Sequence, residues 1–477
     1  MENRAVMQAD RDEFSFPHAP EVVGILRELD EGVLRTYESI NEQPLRRFLA
    51  ESYVLSEEQV FLEQGNIGII HRVFDYLLTK ESLVLLSHPG YPYHEKLAKH
   101  HGARVLQYSI IEQGDSFAID VTSVLRGLEE KPTLVVLTDP ESPLGCSWSL
   151  EDLERVLQAT DQSTLVLLDQ AHEGFRSGHI KDVVALVKKY PHLLVARSFS
   201  KYYGLAGLRV AYALCGVAVK EKICFWERYL GFNSIAQVAA IACLKNNAYY
   251  EEKACFVRSE KDRLRTAINQ LPGYKAYKTD HISLLLRPPK EQLELLEKNA
   301  QLAGIHFRDL KEYFDPSNDP AMQGLLRITL GTHEQNERIL DLFSSVSWLY
   351  SFSFHNTPEI AVMNIRDAGY TIHRYTVDFE KAGIPIGYYK VIIPPDHEVP
   401  EHKHDDQDEF FHFLTPASMR VGDKTIEISE GAVRVKPGEL HAIHAQKARF
   451  TRYFCTRFPY KHEDKKKASG EQIIHVE

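Results

Sequence analysis

Four short apolar runs punctuate the first half of the chain: SLVLLSHPG (Ser82–Gly90), TLVVLTD (Thr133–Asp139), TLVLLD (Thr164–Asp169) and HLLVARS (His192–Ser198). Leucine and β-branched residues fall on both parities in each. That is the pattern of strands buried on both faces. Between the runs the spacing turns helical, as in SLEDLERVLQA, where Ser149 is placed as N-cap and Asp152 completes a capping box. Strands alternating with helices predict a mainly parallel α/β sheet. The polar and unusual residues fall just past each strand, at the edge where open α/β sheets bind ligands.

The pattern changes twice more. From about Tyr249 to Ser345 helical stretches dominate, with short strands such as ISLLLR and LLRITLG, which reads as a smaller α+β domain. After about Leu349 come short alternating strands with turn signals: YYKVIIPPDHEVPEHKH, MRVGDKTIEISEG and AVRVKPGELHAIHA. Strands that short and regular predict a small β-barrel or sandwich. The expected division is an α/β region over 1–349, with a small domain from about 1–45 and 249–349 and a large one over about 46–248. A linker over 350–364, a β-domain over 365–463 and a mobile tail over 464–477 follow.

Composition narrows the function classes. At 477 residues the chain is too long for one ordinary core. Its 44% apolar and 26% charged content is that of a soluble globular protein. A net charge of -11 argues against nucleic acid as the main partner. No apolar run is long enough to span a membrane, and the charged N-terminus is no signal peptide. Six scattered cysteines without a CxxC pair suit a reduced, cytoplasmic protein.

The densest chemistry follows the run ending at Ser198: Ser198, Ser200 and Lys201, then Arg209. A lysine at a strand's end can form a Schiff base, and hydroxyls with an arginine make a cradle for phosphate. Pyridoxal phosphate requires both, plus a carboxylate at its ring nitrogen, and Asp169 is placed to supply it. Taken singly, Lys201 reads as a surface charge, Asp169 as a helix cap and Tyr91 as ordinary packing.

Together, and in order, these segments resemble the class I/II aminotransferase family of fold-type-I pyridoxal-phosphate enzymes, nearest to histidinol-phosphate aminotransferase-like members. SFSKYYGLAGLR is similar to the family's S-x-S-K-x-x-x-L-x-G-x-R. That implies Lys201 as the Schiff-base lysine and Ser198, Ser200 and Arg209 as phosphate ligands. EQGNIGIIHRVF resembles the family's helix start, implying phosphate contacts from the backbone N–H groups of Gly65, Asn66 and Ile67. HPGYPYHEKL implies Tyr91 as the ring stacked on the cofactor, and LRTYES implies Tyr37 as the tyrosine reaching the phosphate of the neighbouring subunit in a homodimer. LLRITLG implies Arg327 as the anchor of a substrate carboxylate.

The departures are also legible. Ser142 in DPESPLG and His172 in DQAH stand where the family has an Asn and a Tyr that bond the cofactor's phenolic oxygen. FSFPHAPE replaces the stretch that closes over substrate. Glu141 and Glu173 add carboxylates read as solvated, with reception of a cationic substrate group as the alternative.

In the last part of the chain, His402 and His404 are two apart, and so share one face of a strand. Glu409 follows an acidic turn, and His441 follows the Pro437–Gly438 turn. Three imidazoles and a carboxylate suit iron, manganese, nickel, copper or zinc. The pattern resembles the cupin superfamily, H-x-H-x(3,4)-E followed by P-G-x-x-H, over about Ile365 to Pro459. The glycine expected seven residues past the glutamate is instead Gly422, which implies an extended or irregular hairpin. His412 and His444 fall on the opposite parity and are expected to face outward.

The sequence therefore reads as a pyridoxal-phosphate enzyme acting on an amino acid or related amine, an aminotransferase with a 2-oxo acid as acceptor. A metal-binding cupin that processes or senses a pathway intermediate is appended. A non-transaminating pyridoxal-phosphate enzyme (a decarboxylase, lyase or O2-dependent oxidase) and a ligand-sensing regulatory protein are the alternatives.

Overall fold

The computed structural model describes residues 6–37, 43–176, 180–223, 231–314, 319, 322–350, 371–377, 386–405, 407–429, 431–446, 449–458 and 465–467. The expected linker over 350–364 lies outside them save for its first residue.

The four apolar runs all form strands, and all lie in one sheet. Its members are β1 (Val60–Glu63), β2 (Leu83–His88), β3 (Arg104–Gln113), β4 (Ser116–Ile119), β5 (Leu134–Thr138), β6 (Leu165–Gln170), β7 (Leu193–Ser198) and β8 (Ala211–Cys215). The order across the sheet is β1-β8-β7-β6-β5-β2-β3-β4. From β3 to β7 the pairings are parallel, while β8 runs antiparallel to both β7 and β1. Every residue of β5 and β6 is buried, as strands covered on both faces require. The strand order reverses between β5 and β2, and the crevice outside their C-terminal ends is the expected ligand position. The helix Leu150–Ala159 starts where its sequence predicts: Ser149 Oγ accepts from Asp152 N at 3.0 Å. The hydroxyl also donates to the Asp152 carboxylate, which replaces the reciprocal bond of a full capping box.

The 23-residue helix Asn247–Asn269 leads into the second unit. Its sheet comprises β9 (Lys275–Tyr277), β10 (Ser283–Arg287), β11 (Arg308–Asp309) and β12 (Leu326–Thr329), in the order β9-β10-β12-β11. The chain's start joins this unit, since Met7–Gln8 pairs in parallel with Ile305–His306.

The C-terminal part is all β: β13 (Thr371–Val377), β14 (Ile386–Ile393), β15 (Glu398–His404), β16 (Asp408–Phe413), β17 (Ala417–Val421), β18 (Lys424–Ile428), β19 (Gly431–Val435), β20 (His441–Ala445), β21 (Thr451–Phe458) and β22 (Lys465–Lys467). They form two five-stranded antiparallel sheets, β13-β14-β21-β16-β19 and β18-β17-β20-β15-β22, an arrangement compatible with the cupin resemblance. Val391, Phe411, Phe413, Met419, Ile443 and Tyr453 fill the core. Chain crossing between sheets at Leu414–Pro416 explains the missing glycine: β16 and β17 belong to different sheets, and Gly422 serves the β17–β18 turn instead. The tail needs correction in part. Lys465–Lys467 is not loose but pairs with His402–His404, because β15 has an open edge there.

The barrel packs on the helix His333–Tyr350. Ile392 and Phe450 share a core with Leu342, Phe343 and Val346, and Phe450 N donates to Asp341 Oδ2 at 2.6 Å. The buried Lys390 donates to the Trp348 carbonyl at 3.1 Å.

Candidate functional site

Strand ends position the first cluster. Asp169, near the end of β6, is buried and tightly held. Its Oδ1 accepts from Asn66 Nδ2 at 2.5 Å and from Ala171 N at 3.0 Å. His94 Nε2 stands 3.4 Å from its Oδ2. Tyr91 caps the helix Pro92–His100 and meets the His94 ring edge-on at 5.3 Å. Burial, then the Asp169 carboxylate, pushes the Tyr91 hydroxyl above its ordinary value.

Asn66, expected to act through its backbone, thus also orients the carboxylate with its side chain. His94 was missed. Its one signal is position, three residues past Tyr91 on a helix, where side chains share a face.

The helix Asn66–Leu77 begins at Gly65, whose φ is +72°. A Cβ there would lie 2.4 Å from Arg209 Nη2, so glycine is required by both backbone and space. The helix N-terminus and the guanidinium are therefore packed side by side, which puts two groups that attract anions in one place. Ser200 N donates to Ser198 Oγ at 3.0 Å, which turns these two residues toward each other beside Lys201. Tyr37 does not join this group. It is 81% exposed, and it lines one surface depression with Leu34, itself 72% exposed.

Lys201 Nζ donates to the Arg11 carbonyl at 2.8 Å, and burial pushes its amine below the ordinary lysine value. Arg327 Nη1 lies 3.1 Å from Asp12 Oδ2, and both side chains are almost wholly buried. Arg327 Nη2 reaches the Asp10 carbonyl at 3.3 Å and the Tyr313 hydroxyl at 3.4 Å. The segment Asp10–Asp12 thus lies over both the lysine and the arginine. Nothing in the sequence signals that pairing.

Ser142 and His172 are both buried. Among the described residues His172 Nδ1 has no hydrogen-bond partner, and its ring sits 5.7 Å from that of His281. His281 Nε2 lies 3.1 Å from the Pro143 carbonyl, and Ser283 N donates to its Nδ1 at 3.2 Å. Nδ1 also lies 3.1 Å from the Ser283 carbonyl, so both ring nitrogens have partners, and it is burial that favours the neutral ring. Burial holds His172 down to about 3 and His281 to about 4.

The two glutamates expected in solvent are corrected. Glu173 is buried with its Oε2 3.2 Å from Arg176 Nε, and the same guanidinium binds Asp139 at 2.6 Å. Glu141 is fully buried, and burial pushes its carboxyl well above the ordinary range. Both lie in the segments just past Asp139 and Asp169, and both are buried there.

The second cluster closes the barrel. His402 and His441 are direct cross-strand partners on β15 and β20, and His404 follows on the same face. Glu409 comes from β16 in the opposite sheet. All four are buried, with one ligand atom from each within 4.8 Å of the others. A cation bonded at about 2 Å to each donor needs separations of about 3–4 Å. His441 Nε2 to Glu409 Oε2 is 2.8 Å, and His404 Nε2 to Glu409 Oε1 is 3.4 Å. The other ring nitrogens of two of the histidines are fixed by backbone: His402 Nδ1 at 2.7 Å from the Pro400 carbonyl, His441 Nδ1 at 3.2 Å from that of Glu439. Such bonds set the tautomer that presents Nε2 to a metal.

A register shift between Val399 and His402 aims the first histidine. Gly438, at φ +82°, donates its N–H to the His404 carbonyl at 2.6 Å. The turn before His441 is thereby tied to the strand carrying the first two histidines. His412 is exposed, and His444 pairs with Glu398 at 2.7 Å on the outer face, as their parity predicts.

Comparisons with known proteins bear on the first cluster. A family model described as aminotransferase class I and II matches residues 12–343. The histidinol-phosphate aminotransferase of Ruminiclostridium cellulolyticum is 25% identical over 338 residues, covering 70% of this chain and 91% of that protein. Histidinol-phosphate aminotransferase 2 of Archaeoglobus fulgidus is 28% identical over 326 residues, covering 67% and 89%. Among solved structures, the Sinorhizobium meliloti histidinol-phosphate aminotransferase in complex with pyridoxal-5'-phosphate aligns with a TM-score of 0.63 at 22% identity, covering 72% of this chain and 92% of that one. The L-threonine-O-3-phosphate decarboxylase of Porphyromonas gingivalis shares the fold with a TM-score of 0.58 at 19% identity, covering 71% and 99%.

Proposed function

Because the chain belongs to the class I and II aminotransferase family, we propose that its α/β region holds pyridoxal phosphate between Asp169 and the Gly65–Arg209 cradle. There it moves an amino group between an amino compound and a 2-oxo acid. The observation that carries this reading is the buried Asp169 carboxylate, gripped by Asn66 and placed at the strand-order reversal.

Pyridoxal phosphate, when bound, supplies an electron sink for the bonds of the amino-bearing carbon. The chain's own residues do the rest. Asp169 holds a proton on the ring nitrogen, and Asn66 keeps the carboxylate aimed. Arg209, Ser198, Ser200 and the N–H groups of Gly65, Asn66 and Ile67 bind phosphate. Tyr91 covers the ring. Ser142 and His172 would be the side chains available to bond its phenolic oxygen. Lys201 supplies the amine that retains the cofactor and the base that moves a proton at the substrate carbon, a role favoured by its lowered pKa. The exposed Tyr37 serves a second copy of the chain in a homodimer, which its prominence beside Leu34 supports.

The barrel holds a divalent transition metal (iron, manganese, nickel, copper or zinc) on His402, His404, Glu409 and His441, and processes or senses an intermediate of the same pathway. The buried donor set supports this reading.

The test is incubation of purified protein with a panel of amino acids and amines, with and without 2-oxoglutarate and O2, read by mass spectrometry. Amino transfer to the 2-oxo acid is expected. Carbon dioxide, ammonia or oxidised product formed without an acceptor would overturn the transaminase reading.

A further inference from the structure

A buried guanidinium close to a catalytic lysine is a site for an anion. Here the chain fills that site itself. Asp12 Oδ2 lies 3.1 Å from Arg327 Nη1, with side-chain exposures of 5% and 6%. Both carboxylate oxygens are held. Ser283 Oγ donates to its Oδ1, Thr329 Oγ1 donates to the same oxygen at 3.4 Å, and Asp12 N donates to Thr329 Oγ1 at 2.9 Å. Asp12 also holds a left-handed backbone, φ +54°, which a non-glycine residue keeps only where its surroundings demand it. The flanking carbonyls point the same way: Asp10 O receives Arg327 Nη2, and Arg11 O receives Lys201 Nζ. Burial alone would push the Asp12 carboxyl up, but the Arg327 guanidinium, with Lys201, more than offsets it and keeps it ionised.

The neighbouring pocket has a matching character. Tyr91 and Tyr313 line it, together with His88, His94, Glu95 and Asp319, and among the described residues none of its lining is a lysine or arginine. Tyr313 also touches Arg327, so this pocket adjoins the neutralised pair.

We propose that Asp12 is a specificity-determining residue: it takes the guanidinium that would otherwise receive a substrate carboxylate, and so turns the site toward amines bearing a neutral or cationic group at that position. Any carboxylate ligand, the 2-oxo acid acceptor included, must displace Asp12 and binds weakly, so the acceptor is taken at high concentration while the amino donor is chosen for lacking that group. This rests on the reading of the α/β region as a pyridoxal-phosphate aminotransferase, and deepens it by naming the class of amino donor.

The experiment compares wild-type holoenzyme with Asp12→Asn, which keeps the shape and the hydrogen bonds to Ser283 and Thr329 but removes the charge. Two probes are used. Succinate is titrated against the thermal midpoint. Amino acids and their decarboxylated amines are titrated in pairs against the cofactor absorption. In wild type, succinate leaves the midpoint unchanged and each amine binds more tightly than its amino acid. In Asp12→Asn, succinate raises the midpoint and amino-acid affinity rises about tenfold or more, the worth of one charge-assisted pair, while amine affinity does not rise. Equal carboxylate affinity in the two proteins overturns the proposal. Should Asp12→Asn not fold, wild type decides alone: amino acids bound more tightly than their amines overturn it. Borohydride reduction with peptide mapping separates the two readings, because label absent from Lys201 condemns the cofactor assignment, while the succinate titration still reports on Asp12.

Discussion

The barrel cluster and the α/β cluster reach similar burial by opposite routes. All four barrel residues lie between His402 and His441, on three strands. A two-residue period and one cross-strand pair place the imidazoles, and one residue from the facing sheet completes the set. The α/β cluster instead gathers Asp12, Asn66, His94, Asp169, Lys201 and Arg327 from loops, strand ends and helix starts scattered across the chain. A site built by local periodicity carries its geometry in its spacing. A site built by long-range assembly shows only its components until the sheet is formed.

The sharpest way to break this comparison is to disable one cluster and read the other. Lys201→Ala should abolish cofactor retention and lower turnover by about three orders of magnitude or more, the scale of a lost acid–base group. Metal content, measured by elemental analysis, should stay unchanged. Metal lost together with the lysine would show that the clusters are one functional unit.

The reciprocal experiment is His402→Ala with His404→Ala. Half of the donor set disappears, so stoichiometric metal should vanish while the visible absorption of the α/β region persists. Metal removal from wild type by a chelator should also lower the barrel's thermal transition. Binding at a thousandfold excess over Kd contributes about 4 kcal/mol to the folded state. Full metal stoichiometry in the double variant would mean that the ligand set is wrong.

What was legible follows the same division. The four buried strands, the capping serine at Ser149 and the outward parity of His412 and His444 all came from short-range pattern. So did the barrel donors. Lys201 and Arg209 were visible as a motif, but Arg327's partner was not, because Asp12 meets it only after the chain's start joins the second unit. Glu141 and Glu173 misled for a related reason. Carboxylates read as solvated unless a partner is evident, and Arg176, the partner of Glu173, reaches it through a loop beyond the strand. Lys465–Lys467 looked like a tail because a lysine run is polar, whereas its pairing depends on the open edge of β15.

A smaller effect sharpens the account of the α/β cluster. Asn66→Ala leaves Asp169 Oδ1 with the Ala171 N–H and removes the 2.5 Å bond from the amide. A hydrogen bond to a charged group is worth about 1.5–3 kcal/mol. Cofactor affinity, measured by equilibrium dialysis, should weaken by about one to two orders of magnitude. Asn66→Asp should be worse, since it sets a second carboxylate against Asp169. If neither change alters affinity, Asn66 acts through its backbone alone.

The smallest effect is a slope with pH, and it belongs to the α/β region. His172 and His281 are held at about 3 and about 4 in the folded chain by burial. Unfolded histidine titrates at about 6.5. Between those values the unfolded chain binds protons that the folded chain refuses, so stability rises with pH across the window. Their contribution is complete above about pH 6.5 and is lost as pH falls toward about 4, at up to about 1.4 kcal/mol per pH unit for each histidine. Asp12 does not mimic this trend, because a depressed carboxyl loses its contribution only below its unfolded value of about 3.9. The clean variant is His281→Gln, whose amide can still donate toward the Pro143 carbonyl and accept from Ser283 N. Urea unfolding of wild type and variant at about pH 7 and about pH 5 should show a shallower loss in the variant, by about one histidine's share. Identical losses would mean that His281 already carries its proton in the folded chain, shared between the Pro143 and Ser283 carbonyls, against the burial that favours the neutral ring. Its neutrality, and with it that of the adjoining His172, would then no longer describe the floor of the site.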